Sequence, residues 1–542
     1  MRKLFWIVSA IVFGLQVALY FVSPWTLSLA ALTSPLFILG LLDIYQHKQS
    51  IRRNFPVLGR IRYLLEMIRP EINQYFIESN TDGTPFSREE RSIVYQRSKK
   101  VTETIPFGTQ RNVYETGYEY VPHSISPVHV DPKELRVLVG GKDCSKPYLA
   151  SIFNISAMSY GSLSQNAILA LNGGARDGGF AHNTGEGGLS PYHLQNGGDV
   201  IWQIGTGYFG CRDERGHFSD TLFSERSQDE RVKMIEIKLS QGAKPGHGGI
   251  LPKEKLTLEI SQIRNVPLGR DVISPPWHSS FSTPIELCHF IQKLRQLSVG
   301  KPVGIKLCIG RESEFFAICK AMIETSIMPD YISIDGAEGG TGAAPLEFSN
   351  SVGMPGQDAI VFAVNALRGF NLKKDIKVFA SGKLTSAFGI IRHLTMGVDV
   401  CYAARSFMLS LGCIQALRCN TNDCPTGVAT QNSHLVKGLV VSDKRTRVKN
   451  FHEQTMKGVA EILGAMGIDN HRSLTPHHLR RRISQLDVQP LSAIIPWVDE
   501  GSYLQGNIPT RWEKEFEIAN SASFKSQSTQ ADAFEQLKMV GK

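Results

Sequence analysis

Between residues 149 and 468 short β-branched runs alternate with helical stretches, and this alternation limits the fold more than any other feature of the chain. Eight runs read as strands: 150–156, 180–184, 200–205, 234–239, 303–308, 331–334, 376–381 and 398–403. Helical spacing falls between several of them, at 165–177, 284–296, 312–325, 358–368 and 386–396. Strands that alternate with helices pair in parallel through crossovers, so the fold class is α/β. Eight such units suggest a (β/α)8 TIM barrel. A doubly wound open sheet is the alternative, although no G-x-G-x-x-G follows the first strand. The stretches 206–232 and 240–300 are too long for simple connections and are expected to wall or cover the barrel mouth. A further helix over 452–467, with Met456, Val459, Ile462, Leu463 and Met466 on one face, is expected to pack outside the barrel.

The N-terminus has a different character. Residues 4–23 and 25–42 are two uncharged stretches, each long enough to cross a bilayer core of about 30 Å. Pro24 and Trp25 separate them, so residues 1–45 read as a two-helix transmembrane hairpin. A cleaved signal peptide is the rival reading; its apolar region would be shorter and lead into small residues. Arg2 and Lys3 flank one end, and Lys48, Arg52, Arg53, Arg60 and Arg62 the other, which puts both ends in the cytoplasm of a bacterial inner-membrane protein. The net charge of +9 is explained in part by residues 44–111, with 12 Lys/Arg against 7 Asp/Glu. That is a juxtamembrane pattern, and no nucleic-acid-binding signature accompanies it. Residues 46–130 are expected to form a basic connector and cap, with helical spacing over 57–78 and a capping box at Ser87 and Glu90. The barrel is expected over 131–485 and a partly disordered extension over 486–542.

Six stretches carry candidate chemistry. Cys413, Cys419 and Cys424 lie on one loop, followed by Pro425. Thiolates select iron–sulfur clusters or zinc, and a cluster loop can close on Cys-Pro. No fourth ligand follows at short spacing, which suits a three-iron cluster; the plain alternative is three buried cysteines, since six others are scattered singly. The glycine-rich run 335–345, with Gly339, Gly340 and Thr341, offers bare N–H groups to a phosphate. Gly382 follows the seventh strand, and Ala404 and Arg405 the eighth, where barrels hold phosphate. Ordinary turn chemistry would explain any one of these loops alone. The run 238–249 places Lys238, Gln241 and Lys244 on one glycine-rich loop, a plausible cradle for a dicarboxylate or else a solvated surface loop. Small residues over 156–164 would let backbone approach a flat ligand.

The cysteine run, with its trailing GVATQ, resembles the iron–sulfur loop of the glutamate synthase large chain. That resemblance covers roughly 130–485 and implies the barrel, FMN and a 3Fe-4S cluster on the three cysteines. It places Met158 and Ser159 on the flavin, and Lys306, inward on the fifth strand, where it can stabilise reduced flavin. It assigns Lys238, Gln241, Lys244 and Arg264 to 2-oxoglutarate, with Glu186 near flavin and substrate. His247 departs from the family, which has Glu there, and the amidotransferase and β-helix domains of the large chain have no counterpart. The implied function is reductive amination of 2-oxoglutarate or a related 2-oxo acid to L-glutamate. Electrons would come from ferredoxin or a partner reductase, and nitrogen from ammonia or a separate amidotransferase. The alternatives are an FMN barrel acting on another amino or hydroxy acid, of N-methylglutamate synthase type, or a membrane electron-transfer subunit without turnover.

Overall fold

The computed structural model describes residues 1–525 except Thr102, so the expected disorder over 526–542 lies outside the described residues. Contacts divide the chain into two units, Met1–Thr84 and the remainder from Pro85. The boundary falls inside the stretch expected to be a single connector.

In the first unit, the helix Arg2–Val22 is followed by the turn Pro24–Leu29 and the helix Ala30–Tyr45. Both apolar segments are long and apolar enough to cross a membrane. They approach closely at Gly40, where a Cβ would overlap the Phe5 ring, and Phe5 stacks on Phe37 at 5.8 Å. Gln16 donates to Thr33 across the pair at 2.6 Å. The second helix ends in a polar knot. Buried Asp43 accepts from Arg52 and Arg60, both at 2.9 Å, and from the Val57 amide at 3.1 Å. The carboxylate thereby fixes the turn into the helix Gly59–Ile72.

In the second unit, eight parallel strands close a barrel. In chain order they are β1 (Phe153–Ile155), β2 (His182–Asn183), β3 (Val200–Ile204) and β4 (Val232–Lys238), then β5 (Val303–Leu307), β6 (Tyr331–Asp335), β7 (Lys377–Ser381) and β8 (Val400–Ala403). The open-sheet alternative is therefore ruled out, since β8 pairs with β1. These strands are buried on both faces, which is why they read as continuous β-branched runs rather than alternating ones. The expected first strand is corrected at its start. Residues Tyr148–Ser151 pair antiparallel with Arg136–Val139 as a hairpin, and only Phe153–Ile155 enters the barrel.

Helices Gln165–Gly178, Pro284–Leu297, Glu312–Thr325, Gly356–Gly369 and Ala387–Thr395 surround the strands. The outer helix runs Val441–Ala465, starting well before 452. It packs on Gln165–Gly178 so closely that a Cβ at Gly174 would come within 2.5 Å of Val448. The expected capping box at Ser87 and Glu90 opens the helix Arg88–Lys99, which also packs on Val441–Ala465. The described part of the C-terminal extension is ordered against the barrel helices. Helix Thr510–Ile518 places Trp512 5.4 Å from Phe362 and Phe516 5.6 Å from Phe370.

Candidate active site

The C-terminal ends of the strands open into one cavity. Its lining includes Met158, Ser159, Glu186, Lys238, Gln241, Lys244, Arg264, Lys306, Gly339, Gly340, Thr341, Gly382, Ala404 and Arg405. These residues come from segments as far apart as 158 and 405, and parallel strands deliver them to one face because every strand ends there.

One wall is built on the end of β4. Lys238 donates to Gln241 Oε1 at 2.6 Å and pairs with Glu186 Oε1 at 2.7 Å. His278 holds the backbone at this point. Its Nε2 meets the Lys238 carbonyl at 2.9 Å, so Nε2 carries the proton, and Nδ1 accepts from the Tyr208 hydroxyl at 3.1 Å. Burial pushes this imidazole down to about 4, which keeps it neutral. Glu186 sits against Gly205 and Gly249, where a Cβ at either position would crowd its carboxylate. Arg264, 5% exposed, donates Nη2–H to the Tyr160 carbonyl at 3.0 Å and lies 5.1 Å over the Phe209 ring. Among the described residues its buried Nε has no hydrogen-bond partner. Lys244 is 2% exposed, and no carboxylate lies in ion-pair contact with it among the described residues.

Burial alone would raise the Glu186 carboxyl, but Lys238, Lys244 and Arg264 outweigh it and hold the group below its usual value. Burial lowers Lys244, and lowers Arg264 to about 10; Glu186 opposes both shifts. Three cations against one carboxylate leave a buried surplus of two positive charges.

The floor is balanced differently. Lys306 on β5 pairs with Asp335 on β6 at 3.3 Å. Asp335 also accepts from Ser381 on β7 at 2.6 Å and from the Gly242 amide at 3.0 Å. Burial would lower Lys306, yet Asp335, Glu236 and Glu186 raise it on balance. Burial likewise opposes ionisation of Asp335, and Lys306 with the hydrogen-bond donors overrides it. Beneath lies Glu236, fully buried, whose Oε1 accepts from Asn183 at 2.8 Å and Gln203 at 2.7 Å. Burial raises its carboxyl, and among the described residues Oε2 makes no hydrogen bond of ordinary geometry.

Past β6 to β8 the cavity is lined by nearly bare backbone. A Cβ at Gly340 would overlap the Arg405 guanidinium, so the two residues are in direct apposition. Arg405 also lies 5.5 Å over the Phe86 ring. The cysteine loop adjoins this side, and Cys419 lines the cavity. Gln415, Leu417 and Asn422 all take positive φ, of 57°, 54° and 65°. Such backbone is costly for side-chain-bearing residues and clusters at ligand sites. The three thiols influence one another's ionisation, but among the described residues no His, Cys, Asp or Glu group converges as ligands of a single ion would. The three thiols lie on one loop beside the cavity, and thiolates are the soft donors that iron–sulfur clusters and zinc both take.

The conserved region of glutamate synthase matches residues 88–469. The chain belongs to that family. It is 37% identical over 478 residues to the glutamate synthase large subunit-like protein YerD of Bacillus subtilis (strain 168), covering 81% of this chain and 90% of that one. It is 34% identical over 341 residues to an archaeal glutamate synthase (NADPH) of Methanocaldococcus jannaschii, covering 63% of this chain and 64% of the relative. An archaeal-type glutamate synthase (NADPH) of Thermotoga neapolitana is 33% identical over 371 residues, covering 65% and 70%. A solved flavocytochrome b2 double mutant with pyruvate bound resembles it loosely, with a TM-score of 0.41 and 13% identity over 83% of this chain and 91% of that one.

Within this glutamate synthase-like site the structure brings together every residue expected on substrate or flavin. Of the cysteines only Cys419 reaches the cavity. His247, the departure from the family pattern, is outside the lining. Its Nδ1 lies 3.0 Å from the Gly248 carbonyl and its ring sits edge-on to Phe348 at 5.5 Å. Glu236 was not anticipated as part of the site. The buried carboxylate two residues before Lys238, on the same face of β4, was the one available signal for Glu236.

Proposed function

We propose that this protein is an FMN and iron–sulfur oxidoreductase that reductively aminates 2-oxoglutarate, or a related 2-oxo dicarboxylate, to the L-amino acid. The observation that carries the reading is the uncompensated pair of positive charges on the wall. Buried charge without a counter-ion is costly, and a dicarboxylate supplies two negative charges. Lys244 and Arg264 hold the carboxylates. Lys238, fixed by Glu186 and by the His278-held backbone, orients the 2-oxo group together with Gln241. Ammonia condenses with the ketone to an imine, releasing water, and a hydride with a proton then completes the amine.

FMN, when bound, supplies that hydride, and the cluster, when bound, supplies electrons one at a time. The glycine-lined side of the cavity fits a flat phosphate-bearing cofactor. Gly339, Gly340, Thr341, Gly382, Ala404 and Arg405 would take its phosphate, Met158 and Ser159 its ring, and Lys306 negative charge on the reduced ring. Cys413, Cys419 and Cys424 would hold the cluster. The electron donor is a ferredoxin or a partner reductase, and nitrogen is free ammonia or the product of a separate amidotransferase. The two apolar helices support membrane anchoring, with basic residues 48–62 on the cytoplasmic side.

The test uses detergent-solubilised full-length protein with iron and flavin counted per chain. Reduced ferredoxin, ammonium and 2-oxoglutarate should yield L-glutamate. A colour-bearing preparation that turns over no 2-oxo acid would reject the reaction.

A further inference from the structure

Lys255 is a buried ammonium that the chemistry above does not use, 3% exposed. It ends the turn Lys253–Lys255, between the cavity-lining pair Ile250–Leu251 and the helix Leu258–Arg264 that carries Arg264. Its Nζ donates to the carbonyls of Cys419 at 2.6 Å, Ala429 at 2.8 Å and Ser162 at 3.3 Å. Three acceptors use all three protons of an ammonium. One side chain thus ties together three segments: the loop after β1, the cysteine loop, and the segment carrying the dicarboxylate wall.

Holding carbonyls does not by itself require a charge. A neutral amide could serve two of them without the penalty of burying an ion. Burial lowers the Lys255 ammonium, no carboxylate contacts it among the described residues, and the groups that oppose the shift are the Cys419 and Cys424 thiols. A cation kept at this position therefore has its natural counter-ion in thiolates carrying an anionic metal–sulfur centre.

We propose that Lys255 is a positioning residue for the iron–sulfur centre. It locks the cysteine loop to the substrate wall, and its fixed charge favours the reduced, more negative state. The inference rests on the iron–sulfur reading above. In each passage one electron arrives from the one-electron donor and leaves toward the flavin, and Lys255 neither gains nor loses a proton.

The experiment is an EPR-monitored redox titration of full-length protein, with iron and flavin counted in wild type, Lys255→Gln and Lys255→Arg. Lys255→Gln should make one-electron reduction at least tenfold less favourable, a fall of about 59 mV in midpoint potential. Lys255→Arg, which keeps the charge, should stay within about threefold of wild type. Loss of iron with retained flavin in Lys255→Gln would support the locking role. An unshifted potential in an iron-replete Lys255→Gln, or equal shifts in both variants, overturns the inference and leaves the cluster standing. If Lys255→Gln does not accumulate, a tenfold shift in Lys255→Arg overturns it and a potential held within threefold supports it. Wild type without iron removes the cluster reading, and this inference with it.

Discussion

The wall and the floor of the cavity are both lined with buried charge, yet only the floor is complete. On the floor Lys306 and Asp335 neutralise each other, and Ser381 and the Gly242 amide donate to the same carboxylate. On the wall, among the described residues, Lys238, Lys244 and Arg264 face Glu186 alone and Arg264 Nε has no partner. A closed network stabilises the scaffold. An open one stays underpaired until a ligand of opposite charge arrives, so the two regions should respond oppositely to mutation and to ligand.

The sharpest break in that comparison is Asp335→Asn. It removes one partner of a buried pair and leaves Lys306 without its direct counter-ion, at a cost of about 3–5 kcal/mol. Equilibrium unfolding should show this loss without added substrate. An unchanged midpoint would mean that the floor pair is not what holds β5, β6 and β7 together at the mouth.

Lys244→Ala should do the reverse. Removing a surplus cation relieves repulsion, so stability should hold or rise slightly while kcat/KM falls about a hundredfold, equivalent to about 2.7 kcal/mol. Flavin and iron content should not change. A variant that loses stability like Asp335→Asn would place Lys244 in the scaffold and not in the substrate cradle.

Ligand separates the regions without mutation. A 2-oxo dicarboxylate at ten times its Kd should stabilise wild type by about 1.4 kcal/mol. The gain should be much smaller for a 2-oxo monocarboxylate at equal concentration, and absent in Lys244→Ala. Equal shifts from mono- and dicarboxylates in a thermal melt would remove the argument from charge surplus.

The sequence exposed these two regions unequally. β4 and its lysines were legible because a strand buried on both faces leaves few places for Lys238, and because the glycine-rich loop resembles a known family. The strand over 150–156 differs from the structure at its start because Tyr148, Leu149 and Ala150 continue the same apolar run, and only the pairing with Arg136–Val139 assigns them to a hairpin. The helix Val441–Ala465 looked shorter because its first half is highly charged and Val440 gives no side-chain cap. The contacts of Lys255 with Cys419 and of His278 with Lys238 span 164 and 40 residues. Neither has local periodicity to betray it. Such contacts become visible only once the barrel has brought distant loops together.

The smallest expected effect concerns the second carboxyl under the floor. Glu236 and Asp335 are both buried near Lys306, but their environments push them apart. Burial raises Glu236, whose Oε1 receives only the neutral donors of Asn183 and Gln203, whereas Asp335 is held low by direct contact with Lys306. A raised carboxyl contributes stability that is present below its unfolded value, near 4.5, and is lost as pH rises through the folded pKa. A depressed one contributes stability present above its unfolded value, near 3.8, and lost as pH falls through the folded pKa. Glu236→Gln keeps the shape and cannot ionise. It should therefore match wild type in acid and equal or exceed it at neutral pH. Stability measured from pH 4 to 8 gives the sign. If Glu236→Gln instead loses stability at neutral pH as Asp335→Asn does, then Lys306 is shared by two ionised carboxylates and the floor carries a net negative charge of its own.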